Sequence, residues 1–432
     1  MSRSNRPHST ARALPEAILF GLTDHGDQRS GAEVLAELAQ LADTGEFQVV
    51  GCLAQHRRSP DPNTYLGRGK LDELTELVQA AEANVVICDE SLSPAQGRSI
   101  EKTVGVPVLD RSELILHIFA THAQTPQAKL QVELATLQYQ LPRLKRLWTH
   151  LERQRGGIGH RGGAGEKQID VDRSLLRSRI AQIGRQIKRI EGRKSREIRG
   201  RAELFKIALV GYTNAGKSTL MNQLTDAGVL AEDRLFSTLD TRTKPWRLSG
   251  GRTVLLSDTV GFIRNLPHQL VASFHATLEE ALNADLLFLL VDASSNDAPN
   301  QLETVEEVLA QLGADRIPRI TILNKVDRVD DRSALSTLYS IDNKAVAVSA
   351  RTNEGVDTLN ARLQDHISLS EKKVEILVPH TANGLHAEIR RHTTVLSEFF
   401  TQEGCLVECL VSAALLGRLL AKGAKLSSSK DD

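Results

Sequence analysis

Short apolar runs alternate with amphipathic stretches between about residues 16 and 110 of this chain. The runs have the length of buried strands, and the stretches between them carry apolar residues at the three- and four-residue spacing of a helix face. The predicted strands cover residues 17–22, 48–54, 85–89 and 107–109, and the predicted helices lie near 31–41, 70–82 and 94–103. This alternation predicts a small α/β domain with a mainly parallel sheet.

The next part of the chain, residues 114–155 and 166–199, contains no strand pattern. Its apolar side chains recur every three or four residues. They are Leu130, Leu134, Leu137, Leu141, Leu144, Leu147 and Leu151 in the first stretch and Leu176, Ile180, Ile183, Ile187 and Ile190 in the second. Two such stripes predict two long helices that form an antiparallel hairpin and pack against each other. The joining loop, residues 156–165, has six glycines among its ten residues.

Strand and helix patterns alternate again from about residue 204 to 367, and a shorter α+β pattern follows. The shorter pattern has strands at 374–378 and 405–411 and helices at 385–396 and 413–421. The chain therefore divides into six predicted segments. They are a disordered tail (1–15), an N-terminal α/β domain (16–112), the helical hairpin (113–201), a second α/β domain (202–368), a small α+β C-terminal domain (369–424) and a second disordered tail (425–432).

The overall composition, with 41% hydrophobic and 25% charged residues, is typical of a soluble globular protein. No apolar run approaches the roughly 20 residues that span a bilayer, and the basic N-terminus has no signal-peptide core. The four cysteines suit a reducing compartment. They are Cys52, Cys88, Cys405 and Cys409, and no second pair completes a metal site with the last two. We expect a cytoplasmic monomer.

The net charge of zero hides an uneven distribution of charge. Residues 143–201 contain 18 basic and 6 acidic residues, whereas the rest of the chain contains 36 basic and 48 acidic residues. A segment with a net charge of +12 beside a remainder of −12 predicts a polyanion-binding segment joined to an ordinary enzyme.

A glycine-rich motif follows the apolar run that ends at residue 210. It consists of Gly211, Tyr212, Thr213, Asn214, Ala215, Gly216, Lys217 and Ser218, and Thr219 continues into the next predicted helix. A phosphate-binding loop needs this arrangement, because backbone N–H groups must converge at a helix N-terminus. Lys217 would contact the β- and γ-phosphates, and the Ser218 hydroxyl would bind Mg²⁺. A chance glycine-rich turn is disfavoured by the strand before the motif and the helix after it.

A second motif, Asp258, Thr259, Val260 and Gly261, ends the next apolar run. We expect Asp258 to hold Mg²⁺ through its water shell and the Gly261 N–H to contact the γ-phosphate. Thr238, in the polar stretch 236–241, is the candidate switch threonine that closes on Mg²⁺ in the triphosphate state, with Thr241 as the alternative.

A third motif, Asn324, Lys325, Val326 and Asp327, follows the apolar run 319–323. Asp327 can accept two hydrogen bonds from guanine N1–H and the exocyclic amine, a pair that adenine does not offer. Lys325 would lie along the ring face and Asn324 would reach N7. A backbone N–H near O6 would come from the loop formed by Ser349, Ala350 and Arg351.

The three motifs in this order predict a guanine-nucleotide-hydrolysing domain. The predicted fold class is therefore an α/β multidomain protein. It comprises a small parallel-sheet N-terminal domain, a long antiparallel helical hairpin, a P-loop GTPase domain with a mixed, mostly parallel sheet, and a small α+β C-terminal domain.

Phe262 occupies the position after Gly261, where many GTPases carry the glutamine that orients the attacking water. A phenyl ring has no polar atom for this role, so the isolated enzyme should hydrolyse GTP slowly. Water would be positioned by the backbone, another loop, a partner or a cation, and Asn214 is a candidate K⁺ ligand near the β/γ bridge.

The glycine-rich hairpin loop has little to pack and is flanked by basic side chains. We expect it to contact RNA through Arg153, Arg155, Gly156, Gly157, Gly159, Arg161 and Lys167, rather than to be part of a solvated coiled coil. The match of residues 157–162 to G-x-G-x-x-G follows no strand and is rejected as a dinucleotide site. Residues 67–70 resemble part of a phosphate loop and could cap a helix near a phosphate.

The chain resembles the HflX-type GTPases of the Obg-HflX superfamily, in the TRAFAC class. The sequence motifs that carry the resemblance are TYLGRGK (64–70), DESLSPAQ (89–96), DR (110–111) with residues 115–120, LQVELA (130–135), LPRL (141–144), and GGIG (156–159) with Gly165, Glu166 and Gln168. Phe262 also fits the family. The family loop usually reads Gly-Pro-Gly-Glu-Thr-Gln, and the extra residue and missing proline here predict a looser tip.

The resemblance implies binding to the large ribosomal subunit and its RNA, with the N-terminal domain and hairpin loop reaching toward the peptidyl transferase region. It also implies splitting of stalled ribosomes, promoted by GTP binding and ended by hydrolysis, with ATP hydrolysis in some members. The alternatives are a GTPase that acts on precursor particles in assembly or RNA processing, and an RNA-binding structural protein with a vestigial nucleotide site. The intact motif residues disfavour the last.

Overall fold

The computed structural model describes residues 14–23, 31–144, 164–199, 204–225, 235–236, 241–249, 252–264, 281–329, 332–369, 371–382, 384–411 and 413–427. Two compact units divide the chain, residues 1–187 with 265–273, and residues 188–264 with 274–432. Every helix in the described segments is too short or too polar to cross a membrane.

The first unit begins with a four-stranded parallel sheet, as the alternating pattern predicted. Its strands are β1 (Glu16–Thr23), β2 (Gln48–His56), β3 (Val85–Cys88) and β4 (Val108–Asp110), in the order β2-β1-β3-β4. The connecting helices are α1 (Gly31–Val34), α2 (Ala36–Thr44), α3 (Arg68–Ala80) and α4 (Pro94–Val104). Ile18, Phe20, Val86 and Ile100 are fully buried between sheet and helices.

The first predicted hairpin helix is wrong as a single element. The structure has α5 (Arg111–His122) and α6 (Pro126–Gln140), separated by three residues and followed by a 3₁₀ turn at Leu141–Arg143. The break has a local cause, because Pro126 has no N–H and disfavours helical backbone in the residue before it. Thr125 is extended there and its hydroxyl accepts from Ala128 N at 3.1 Å, which starts a new helix.

A single long helix, α7 (Ala164–Arg199), forms the second part of the helical region. Its Arg179 Nε donates to Glu133 Oε1 of α6 at 2.8 Å, and Ile183 and Ile187 are buried. The predicted joining loop lies outside the described residues, so the hairpin arrangement stays a prediction.

The second unit contains a six-stranded sheet of order β10-β9-β8-β5-β7-β6, in which only the β6–β7 pair is antiparallel. Its strands are β5 (Lys206–Gly211), β6 (Arg242–Arg247), β7 (Thr253–Asp258), β8 (Leu286–Asp292), β9 (Arg319–Asn324) and β10 (Val346–Ala347). Its described helices are α8 (Lys217–Thr225), α9 (Ala298–Gln311), α10 (Arg332–Ile341) and α11 (Val356–Leu369). The carboxyl ends of β5, β7, β8 and β9 therefore lie along one edge.

A four-stranded antiparallel sheet of order β12-β13-β11-β14 follows. Its elements are β11 (Lys372–Pro379), α12 (Leu385–His392), β12 (Thr394–Phe400), β13 (Gly404–Val411), α13 (Ala413–Ala421) and β14 (Lys425–Leu426). The predicted helix 385–396 is too long, because the helix ends at His392 and the β-branched Thr394 and Val395 begin β12. The predicted C-terminal tail also begins too early, since Lys425 pairs with Leu377 of β11.

A buried ion pair connects the two sheets of the second unit. Arg252, just before β7, donates from both terminal nitrogens to the two carboxylate oxygens of Glu371, at 2.9 and 2.6 Å. The Glu371 side chain is 2% exposed. Gln364 Nε2 adds a hydrogen bond to the Ser249 carbonyl at 2.7 Å. These contacts hold the β6–β7 turn against the residue that precedes β11.

Replacing Glu371 by alanine should lower the free energy of unfolding by about 3 kcal/mol, because Arg252 would keep a buried charge without its partner. The matched control is Glu306→Ala, whose pair with Arg319 is 41–43% exposed, and it should change stability by less than about 1 kcal/mol. Thermal or urea unfolding of the full chain measures both, and equal losses would contradict the difference assigned to burial.

Candidate nucleotide-binding site

The phosphate loop connects the end of β5 to the start of α8, as the sequence predicted. Gly216 has a backbone φ of +92°, and a Cβ atom there would overlap with the side-chain amide of Asn324. Glycine is therefore required both by the left-handed backbone and by the close approach of a second loop. Within the loop, Thr213 and Ala215 are buried, and Thr219 is half-buried at the start of α8.

Lys217 is buried and lies curled inside the loop. Its Nζ donates to the carbonyl oxygens of Tyr212 at 2.8 Å and of Gly211 at 3.2 Å. Burial lowers the pKa of Lys217 to about 8, nearby Asp258 partly opposes this shift, and Lys325 adds to it. The ammonium group therefore lies inside the loop, where phosphate oxygens would be bound.

Ser218 and Asp258 meet where the sequence placed a magnesium site. The Ser218 hydroxyl donates to Asp258 Oδ2 at 2.6 Å, and both side chains are buried. Thr259 Oγ1 donates to the Leu209 carbonyl at 2.6 Å, which fixes the end of β7 beside β5. A hydroxyl and a carboxylate at one buried point are the oxygen ligands that Mg²⁺ prefers, so these residues fit the ion.

The segment after Asp258 packs directly on the phosphate loop. Phe262 N donates to the Gly211 carbonyl at 3.1 Å, and Thr213 N donates to the Phe262 carbonyl at 2.7 Å. The Phe262 ring is 2% exposed, and Val260 is also buried. Phe262 therefore contributes backbone pairing and apolar packing here, which gives a physical reason for an apolar residue at this position.

Asn324, at the end of β9, joins the phosphate loop to the loop after β10. Its Nδ2 donates to the Ala215 carbonyl at 2.8 Å, and its Oδ1 accepts from Ala350 N at 3.0 Å. The residue is fully buried. The sequence predicted a contact of Asn324 with the base but not this connecting role. Asn324 and Ala215 are more than 100 positions apart in the chain, so no local pattern links them.

Asp327 and Ser349 lie together, as a common role at the base would require. The Ser349 hydroxyl donates to Asp327 Oδ1 at 2.6 Å, and Ser349 N donates to the Glu354 carbonyl at 2.9 Å. Lys325 has left-handed backbone with φ of +63°, and its Nζ contacts Asp292 Oδ2 at 2.7 Å. Asp292 was missed by sequence reasoning, although an acidic residue at the end of the apolar run 286–291 is a usable signal. Val326 is half-buried, and Arg351 is exposed.

Several predicted site residues cannot be placed. Thr238 and the loop residues Arg153, Arg155, Gly156, Gly157, Gly159 and Arg161 lie outside the described residues, and the Lys167 side chain does as well. Asn214, the candidate K⁺ ligand, has left-handed backbone with φ of +60°. Gly67 caps α3, and its N–H donates to Gln55 Oε1 at 2.9 Å. Within the described segments, no group of three or more His, Cys, Asp or Glu side chains is arranged to hold a metal ion.

Comparison with known proteins adds three matches to family models. Residues 32–120 match the family described as GTP-binding GTPase N-terminal, 122–201 match GTP-binding GTPase Middle Region, and 206–325 match 50S ribosome-binding GTPase. The chain is 41% identical over 413 residues to GTPase HflX of Magnetococcus marinus, with 95% of each chain covered. It is 40% identical over 395 residues to GTPase HflX of Chlamydia pneumoniae, covering 90% of this chain and 84% of that protein. The crystal structure of an SsGBP and GDP complex matches with 25% identity, a TM-score of 0.47 and coverage of 82% and 98%.

Proposed function

This chain belongs to the HflX family of GTPases, and from that membership we propose that it couples GTP binding and hydrolysis to the splitting of ribosomes or the rescue of stalled ones. The observation that carries the proposal is the match of residues 206–325 to a family described as 50S ribosome-binding GTPase, in a chain whose phosphate and base motifs converge at one sheet edge. The net charge of +12 over residues 143–201 supports an RNA partner.

At the phosphates, each described residue has a proposed role. The Lys217 ammonium neutralises the β- and γ-phosphates, and the Gly261 N–H contacts the γ-phosphate. Ser218 would hold Mg²⁺ directly and Asp258 through water, with Thr238 closing on the ion. When bound, the ion would supply positive charge that offsets the charge of the phosphates.

At the base, Asp327 accepts from N1–H and the exocyclic amine of guanine. Ser349 holds the Asp327 carboxylate in place through its 2.6 Å hydrogen bond. Lys325 supports the ring face, kept there by its contact with Asp292 at 2.7 Å. Asn324 connects the loop at the base with the loop at the phosphates, because its side chain is hydrogen-bonded to both Ala350 and Ala215.

Intrinsic hydrolysis should be slow, because Phe262 offers no polar atom to the attacking water and its ring is buried. If Asn214 helps to bind K⁺ near the β/γ bridge, turnover should be severalfold faster in potassium than in sodium buffer at equal ionic strength. Asn214→Ala should remove most of that difference. Equal rates for the unaltered chain in both salts would eliminate the cation role.

Purified large ribosomal subunits should stimulate GTP turnover by at least about tenfold if the ribosomal partner contributes the water positioning that the Phe262 side chain lacks. A chain without residues 156–165 should keep its intrinsic rate and lose most of this stimulation. Sedimentation profiles of intact ribosomes with GTP, GDP and a non-hydrolysable analogue provide the second measurement. Loss of intact ribosomes supports splitting, whereas association only with immature particles would favour a role in assembly.

A further inference from the structure

A cleft of about 1060 Å³ lies between the two sheets of the second unit. One wall is formed by β6, the turn that follows it and the end of α11, and the other wall is formed by α12 and the first part of β12. Both β6 and β12 are edge strands of their sheets. Small-molecule pockets usually measure roughly 300–1,000 Å³, so a cleft of this size with a strand along each wall suits an extended segment of polypeptide.

The two edge strands differ in how well they are protected against pairing with another chain. β6 carries Lys244 and Pro245, and lysine and proline are residues that natural edge strands use to prevent such pairing. β12 contains neither residue type, and its Leu396, Phe399 and Phe400 side chains are exposed, the last two to 64% and 76%. An edge with exposed apolar side chains and no such protection is a surface on which a further strand can be added.

The backbone of β12 has hydrogen-bonding groups on its outer side. Thr401 N donates to the Gly404 carbonyl at 2.8 Å, and bonded and non-bonded pairs alternate along an antiparallel ladder. The register with β13 therefore turns the N–H and C=O groups of Glu398 and Phe400 away from β13. Within the described segments, β12 pairs with β13 alone. An added peptide strand would satisfy these outward groups in regular alternation.

The charge of the cleft indicates what such a strand would carry. Four arginines line the cleft, and two of them are already paired with a glutamate. The paired ones are Arg252, with Glu371, and Arg390, with Glu398. The other two, Arg247 and Arg391, are exposed and form no ion pair with any residue that the structure describes. Because these two guanidinium groups face the same cleft, an occupant with carboxylates complements them.

We propose that the outer edge of β12 and the adjoining cleft bind an extended acidic segment of a partner protein by strand addition. The backbone of the segment pairs with β12, and its carboxylates lie beside Arg247 and Arg391. Apolar side chains of the same segment cover Leu396 and Phe400, which lie further along the edge. Main-chain pairing supplies the affinity, and the two arginines select acidic segments over basic ones.

Two other occupants fit these observations less well. Phe399 and Phe400 are consecutive in a strand, so their rings point to opposite faces of the sheet and do not form one stacking platform for RNA bases. Residues 372–426 contain seven basic and five acidic residues, far from the net charge of +12 over residues 143–201. A second copy of this chain, joined through the same patch by a two-fold axis, would bring the same arginines to both sides of the contact.

The test measures binding of short fluorescent peptides to the full chain by anisotropy. A peptide in which glutamate alternates with valine should bind with a micromolar dissociation constant, and added salt should weaken the binding. Peptides with lysine in place of each glutamate, or with proline in place of the central valine, should bind at least about tenfold more weakly. Equal binding of the lysine peptide would overturn the proposal, and so would no binding of the acidic peptide at millimolar concentration.

A variant of the chain tests the two arginines. Replacing both Arg247 and Arg391 by glutamate should weaken binding of the acidic peptide by about tenfold or more, because two attractions become repulsions. Arg316→Glu, at an exposed arginine outside the cleft, is the control and should bind the peptide normally. Both variants should keep their affinity for GDP, which shows that the chain is folded. Unchanged peptide binding in the double variant would overturn the proposal.

Hydrogen exchange tests strand addition directly. The amide hydrogens of Glu398 and Phe400 should exchange more slowly when the acidic peptide is bound, because the peptide backbone then accepts from them. Peptide binding without this protection would overturn strand addition. Binding of single-stranded RNA that is lost in the double variant, or a dimer that Phe400→Lys dissociates in sedimentation, would assign the surface to a different occupant and would also overturn the proposal.

Discussion

Replacing Lys217 by alanine should weaken binding of both GDP and GTP by about 100-fold or more. The ammonium is the one described cation inside the phosphate loop, and its charge-assisted bonds to phosphate oxygens are each worth about twice a neutral hydrogen bond. Titration with a fluorescent guanine nucleotide in excess Mg²⁺ measures the loss. Lys344→Ala, at an exposed turn of the same unit, is the control and should bind normally.

The same lysine should make nucleotide affinity depend on pH. Burial lowers its pKa to about 8, so the side chain is mostly charged at pH 7 and mostly neutral at pH 9. Phosphates bind the charged form, so affinity should be full at pH 7 and below and should fall by up to about tenfold by pH 9, where binding must first take up a proton. Lys217→Ala should show a flatter profile over this range. A parallel decline in that variant would assign the pH dependence to another group.

Replacing Asp327 by asparagine should reverse the choice of base. The carboxylate accepts from two guanine donors, whereas an amide presents one donor that clashes with the exocyclic amine and suits the carbonyl of xanthine. GTP affinity should fall by about 100-fold and XTP affinity should rise, which competition binding with the two triphosphates measures. Asparagine can still accept from Ser349, whose hydroxyl lies 2.6 Å from the original oxygen, so the loop should keep its fold.

Ser349→Ala separates specificity from simple disruption of the site. This variant removes the hydroxyl that orients Asp327 and should weaken GTP and GDP equally, by less than about tenfold, without admitting XTP. Unaltered discrimination between GTP and XTP in the Asp327→Asn chain would mean that another residue reads the base.

Sequence patterns predicted the sheets well where burial alone determines them. The strand predicted at 17–22 is observed as Glu16–Thr23. Its apolar run is buried on both sides of the sheet, which is the pattern that identifies such a strand in a sequence. Each of the three motifs lies at the end of a strand, β5, β7 or β9, and parallel strands bring these carboxyl ends to one edge of the sheet. The roles proposed for these residues come from the motifs and not from the amino-acid composition.

The features that the sequence did not predict depend on contacts between distant positions or, at Pro126, on a single local signal. The predicted helix continued to residue 396, whereas residues 394–396 begin the strand Thr394–Phe400, which pairs with β13. The break before Pro126 does have a local signal, the proline itself, although the absence of a strand pattern over residues 114–155 favours one continuous helix. Asn324 contacts Ala215, which lies more than 100 positions away in the chain, and no local pattern marks such a partner.

Strand β7 carries Asp258 at one end and follows Arg252 at the other, and six extended residues give it a length of about 20 Å. It is hydrogen-bonded on both sides, and it connects Asp258, a proposed Mg²⁺-binding residue, with Arg252, whose ion pair with Glu371 reaches the C-terminal sheet. We expect a displacement at one end of such a strand to change the position of the other end. Because thermodynamic coupling is reciprocal, whatever molecule seats against the C-terminal sheet and shifts it would alter the lifetime of bound GTP, and GTP would alter that molecule's residence in return.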